Sequence, residues 1–91
     1  MKTLPLHVTR YRTSPEFTDT SVPTALLRGH TTAAHVWARI RVLEGALRYR
    51  INEPEPEEHL LVPSRPGVIE PGVSHEVEIV GPVRFCVEFH R

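Results

Sequence analysis

Cysteine is all but missing from this sequence: Cys86 stands alone. One thiol closes no internal disulfide, which fits a reducing compartment and makes cytoplasm the expected location. Net charge is missing as well. Eleven Lys and Arg balance eleven Asp and Glu, so no overall field attracts nucleic acid or an anionic membrane, and any charge-based function must sit in local patches. Long apolar runs are absent too. The opening "MKTLPLHVTRYR" lacks the apolar core of a secretory signal, and no stretch approaches the ~18 consecutive apolar residues of a spanning helix. A soluble, unprocessed protein without nucleic-acid or membrane partners is the expectation. There is no glycine-rich phosphate loop, no Gly-x-Ser-x-Gly elbow and no Cys-His pairing of recognisable spacing, so nucleotide binding and nucleophilic catalysis find no support.

Proline and histidine are what the chain does have. Nine prolines and five glycines punctuate the 91 residues into short segments, and a chain of this length makes one domain, residues 1–91, burying little more than ~60% of its unfolded surface. Within the segments apolar residues alternate: Val36, Ala38, Ile40 and Val42; Leu47, Tyr49 and Ile51; Val77 and Ile79; Phe85, Val87 and Phe89. Period two is the strand signature, and no stretch sustains a 3.6-residue period. Strands are expected near 3–11, 24–30, 35–43, 46–52, 59–63, 67–70, 75–80 and 83–90, giving an all-β sandwich or small barrel. The proline-bearing acidic stretch in "INEPEPEEHL" reads as a solvated loop between two strands.

In "HVWARIRVLEGALRYRIN", taking Glu44-Gly45 as a two-residue hairpin turn places Arg41 opposite Arg48 and Arg39 opposite Arg50. The four arginines then share one face, and Ala38, Ile40, Val42, Leu47, Tyr49 and Ile51 fill the other as core. Like charges directly opposite one another destabilise a sheet, so this face requires counter-charges or an anionic ligand. Glu76 and Glu78, opposite in parity to Val77 and Ile79, supply the charges if their strand lies alongside. A solvated ion-pair surface is favoured over anion binding or a subunit contact.

The six histidines are not equivalent. His7, His59 and His90 read as surface residues. His30, His35 and His75 each stand where a turn-like segment meets a strand, and imidazoles projected from strand ends into a barrel mouth suit a mononuclear metal site. His75 shares a face with Val77 and Ile79 and therefore points inward, where each ring nitrogen needs a partner: a metal with an outer acceptor or backbone groups. Two histidines with one carboxylate and open positions suit iron, manganese or zinc. Glu88 and Glu70 are the candidate carboxylates, although alternation places Glu88 on the face opposite Phe85, Val87 and Phe89. Cys86 reads as a small buried residue rather than a ligand.

The pairing of "RVLEGALRYR" with "RPGVIEPGVSHEVEIVGPVRFCVEF" resembles the two cupin segments, the first through the turn Leu43-Glu44-Gly45 and the second through the Pro-Gly-x-x-His element Pro71, Gly72 and His75. From "LPLHVTRYRTSPEF" through "LLRGHTTAAHVWARIRVLEGALRYR" to "VRFCVEFHR", nearly the whole chain is similar to the small cupins of the TehB/YeaR-like tellurite-resistance family. The resemblance implies a small single-domain cupin, a double-stranded β-helix or jelly-roll barrel. It also implies a bound divalent metal ion (zinc, iron, manganese or nickel) at His30 and His75, with Glu88 close by. The usual cupin pattern has a glutamate where this chain has Ala38, which leaves the third ligand open among Glu88, His35, Glu70 and Cys86. Some members of the family precede a methyltransferase acting on chalcogen oxyanions; this sequence has neither the length nor the glycine-rich motif for one.

The leading expectation is a metal-binding accessory protein of a tellurite-type oxyanion response that takes a small-molecule or oxyanion ligand and forms a homodimer. A metal-dependent oxygenase or isomerase using the same residues is the enzyme alternative. A metal-free interaction module built on the arginine face is the third.

Overall fold

The computed structural model describes residues 1–91. It contains six strands: β1 (Arg10–Thr13), β2 (Phe17–Thr18), β3 (Trp37–Ile51), β4 (Glu57–Leu61), β5 (Gly67–Ile69) and β6 (His75–His90). All pair antiparallel in one sheet of order β1-β6-β3-β4, with β2 also on β6 and β5 also on β3. The chain is all-β, as the alternation predicts, and no helix is long and apolar enough to cross a membrane.

The hairpin predicted at Glu44-Gly45 does not form. β3 runs through both residues as one strand and pairs along its whole length with β6. The pairing slips twice, between Val42 and Glu44 and between Gly45 and Leu47. Gly45 is needed there for two reasons: its φ is +81°, and a Cβ on it would lie 2.2 Å from the Pro82 carbonyl oxygen. The glycine marks the point where two long strands bend tightly past each other, not a reversal. The bend also preserves the core. Val42 and Leu47 are five residues apart, so strict alternation would turn one of them outward; the slip restores parity, and Ala38, Ile40, Val42, Leu47, Tyr49 and Ile51 are all buried. The strands predicted at 75–80 and 83–90 merge in the same way into β6, with Pro82 at the irregular stretch where no ladder hydrogen bond is required of it.

Two other expectations shift. Of the strand predicted over 3–11 only the end survives, in β1. The stretch predicted as a strand over 24–30 is a 3-10 turn at Thr24–Leu27. Pro23 opens it, accepting from the Leu26 amide at 3.0 Å, and Gly29 at φ +37° closes it.

Each bent strand contributes to two halves of the sheet. The second half of β3 lies between β4 and the start of β6, while its first half lies between β5 and the end of β6. The halves fold toward one another across the core: the Tyr49 hydroxyl in one donates to the Val68 carbonyl in the other at 2.9 Å. A Cβ on Gly67 would stand 2.7 Å from a Leu61 methyl, so any larger residue in β5 would push the Leu61 side chain aside.

The four arginines lie on the outer side of β3, but the bend divides them. Arg48 sits across from Glu78 and Arg50 across from Glu76, the counter-charges the parity predicts. Arg48 reaches Glu78 at 3.1 Å, and Arg50 reaches Glu78 at 2.8 Å and Glu76 at 3.4 Å, with Glu58 on β4 joining both arginines. Beyond the bend, Arg39 and Arg41 lie across from Glu88 and Cys86.

Candidate ligand cavity at His75

Glu70, Pro71, Gly72 and Val73 form the approach to β6. The Val73 amide donates to the Glu70 carbonyl at 3.3 Å and Gly72 has φ +71°, the proline-then-glycine pattern of a type II turn. The turn delivers His75 as the first residue of β6, where its backbone exchanges hydrogen bonds with His30 in both directions, at 2.6 and 2.9 Å. The ladder therefore brings together two histidines that lie 45 positions apart in sequence. Their rings meet edge to face, with centroids 5.6 Å apart.

His75 is only 2% exposed. Its Nδ1 lies 3.2 Å from the Val73 carbonyl oxygen, and its Nε2 is buried without any partner. Burial holds the imidazole below its ordinary pKa; the Val73 carbonyl opposes this by favouring the charged ring, and His30 adds to the lowering. Both rings line a cavity of about 300 Å3. Its wall is mainly apolar, from Ile40, Ile69, Val77, Phe85 and Val87, but Thr13, Ser14, Thr32 and Arg12 line it too, Arg12 with its guanidinium 4.5 Å from the Phe89 ring centre.

The other candidate ligands are elsewhere. Glu88 falls on the outer face of β6, where alternation places it with Cys86 and His90, and pairs with Arg10 at 3.4 Å and Arg41 at 3.6 Å. His35 is exposed in the turn before β3, and Glu70 pairs with Lys2 at 3.7 Å. Cys86 is buried on the outer face, where desolvation pushes its thiol pKa up and Glu88 adds to the rise. Glu88 is thus on the face of β6 opposite His75 and its partner His30, and nowhere do three His, Cys, Asp or Glu side chains gather. The donors present do not fit the three-residue metal site expected from the sequence. His90, expected at the surface, is 9% exposed, with its Nδ1 3.1 Å from the Glu88 carbonyl oxygen.

Sequence reasoning missed the residues that close the cavity on the β1 and β2 side. Phe17, whose ring centre lies 5.6 Å from that of Phe85, and Leu26 both line it. Phe17 stands in a two-residue strand and Leu26 in a single 3-10 turn, segments too short for a period to mark them.

Comparison with known proteins adds the family. The family model for the TehB-like domain matches residues 12–87. The chain belongs to the TehB-like domain family. A crystal structure of an Escherichia coli (strain K12) protein superposes with a TM-score of 0.88 at 21% identity, covering 100% of this chain and 97% of that one. The crystal structure of TehB from Haemophilus influenzae superposes with a TM-score of 0.82 at 25% identity, covering 91% of this chain and 31% of that one. This chain therefore spans about a third of the length of that TehB chain. No curated protein sequence matches.

Proposed function

We propose that this TehB-like domain is a small cupin-type barrel that binds a small, largely apolar molecule in the cavity at His75. We further propose that it serves as an accessory binding module in a tellurite-type stress response. One observation carries the binding reading: a cavity of about 300 Å3 with a mainly apolar wall opens beside the His30–His75 ring pair, and both rings line it. The volume lies at the lower end of small-molecule sites, which suits a molecule of one ring. Family membership supports the tellurite-type context.

Titration of isotope-labelled protein with single-ring aromatic compounds of varied polarity tests this reading. Amide shifts concentrated at Val77, Phe85 and Val87 are the expected result; no response to any compound overturns it.

A divalent metal at His30 and His75 is the second reading, favoured by the close edge-to-face ring pair and weakened by the absence of a carboxylate beside it. The oxygenase or isomerase alternative depends on that metal. Elemental analysis of protein purified without added metal separates the readings. Stoichiometric metal that is lost in His75→Ala supports a metal centre, with oxygen consumption in an iron-loaded sample marking an oxygenase; a metal-free preparation that still binds aromatic compounds supports direct binding. The homodimer is likewise proposed, because so small a core gains from covering sheet surface, and sedimentation of only monomer at micromolar concentration rejects it.

A further inference from the structure

An irregularity in β1 turns an arginine toward the cavity. Arg10 and Arg12 stand two positions apart, so in a regular strand their side chains would share a face. Arg10 lies across from His90 and reaches Glu88 on the outer face of β6 at 3.4 Å. The pairing then slips, two steps along β1 matching one along β6, and Arg12 lies across from Phe89. A bulge of this kind re-aims the side chain that follows it. Arg12 and Phe89 both line the cavity, with the guanidinium 4.5 Å from the ring centre.

That guanidinium has no carboxylate partner. Arg10 and Arg41 hold Glu88, Arg48 and Arg50 hold Glu78, and Arg84 holds Glu44, whereas Arg12 makes no ion pair. No Asp or Glu lines the cavity. Stacking over an aromatic ring engages the face of a guanidinium and leaves its in-plane N–H donors free. The Ser14 and Thr32 hydroxyls on the same wall already donate to the Pro15 and Val36 carbonyls, each at 2.8 Å. Arg12 is therefore the strongest free donor on the wall and its only permanent charge.

We infer that the cavity takes an amphipathic anion of the aromatic carboxylate class, whose carboxylate meets Arg12 while its ring fills the space between Ile40, Val77 and Phe85. This inference rests on the cavity's being a binding site and specifies the ligand's chemistry. The planar fork of a guanidinium matches a carboxylate. Arg12 is exposed, so the anionic head keeps part of its hydration while the ring is buried, which avoids the cost of fully burying a charge.

Three probes test the inference on the whole chain after chelator treatment, with dissociation constants from amide shifts. They are 4-ethylbenzoate; 4-ethylbenzamide, which has the same shape without the charge; and inorganic phosphate, which has charge without an apolar body. The benzoate should bind about fivefold more tightly than the benzamide, the upper worth of an exposed ion pair, and added salt should narrow the gap. Phosphate should not displace it. In Arg12→Gln the benzoate should fall to the level of the benzamide, whose own affinity stays unchanged. Equal binding of the two in the wild type, or a benzoate preference that survives in Arg12→Gln, overturns the inference and leaves the cavity a binding site. Displacement of the benzoate by an equal concentration of phosphate also overturns it, since no apolar body would then be needed. Failure of both aromatic compounds to bind overturns this inference and the binding reading together.

Discussion

Two buried polar side chains on the same strand behave in opposite ways. Glu88, near the end of β6, is 6% exposed and pairs with two guanidinium groups, from Arg10 and Arg41. His75, at the start of β6, is 2% exposed and leaves Nε2 without a partner. Charge alone would rank them the other way, since a buried carboxylate costs far more than a buried neutral imidazole when unpaired. The chain has compensated the expensive group from within and left the cheaper one open. A buried polar atom that the protein satisfies itself adds to stability, whereas the unpaired His75 Nε2 is carried as a cost.

The comparison depends on the bend that sends alternate residues of β3 and β6 to two faces, so the bend is where it breaks most severely. Gly45→Ala sets a Cβ 2.2 Å from the Pro82 carbonyl oxygen at φ +81°. Neither backbone can yield without disturbing the slipped register, and a loss of at least ~3 kcal/mol is expected. Denaturant unfolding should show a lower midpoint, or no cooperative transition. The next effect is at Glu88. Glu88→Leu keeps the volume and removes the partner of Arg10 and Arg41, whose side chains are 59% and 57% exposed and can turn to water. The cost should therefore stay near ~1–2 kcal/mol, below the ~3–5 kcal/mol of stranding a fully buried charge. The readout is the denaturation midpoint at unchanged m-value, and any ligand bound at His75 should be held as tightly as before.

The inward and outward faces were legible in the sequence because period two is a property of the strand itself. The six core positions of β3, the inward His75 and the counter-charges Glu76 and Glu78 all follow from it. What alternation cannot show is whether Glu44-Gly45 ends a strand or bends it. A turn and a bulge both call for a glycine at positive φ, and only the approach of Pro82, 37 positions away, distinguishes them. Glu88 shows the opposite limit. Parity placed it away from Phe85, Val87 and Phe89, and the structure agrees; the family pattern suggested a ligand, and the local rule was the better guide to where the side chain lies. The pairing of His30 with His75 was visible only through that family pattern, since a long-range backbone bridge leaves no mark in either segment.

The smallest effect expected is at His75 itself, and it sharpens the comparison most. His75→Phe removes an unpaired nitrogen and fills its place with an apolar ring, but it also loses the bond to the Val73 carbonyl. These changes oppose each other, and stability at neutral pH should stay within ~1 kcal/mol of the wild type. The two proteins should diverge in acid. The folded pKa of His75 lies below its ordinary value of 6.5, so between those two values the unfolded chain binds the proton more readily than the folded one. The His75 contribution to stability is therefore intact above about pH 6.5 and is lost as the pH falls below it. The His30 ring, edge to face with His75, adds to the lowering. His75→Phe removes this acid sensitivity, so midpoints measured from pH 7 to pH 5 should fall less steeply for the variant. Parallel profiles would mean that His75 is as easily protonated folded as unfolded, and that its ring is not the uncompensated group the comparison with Glu88 takes it to be.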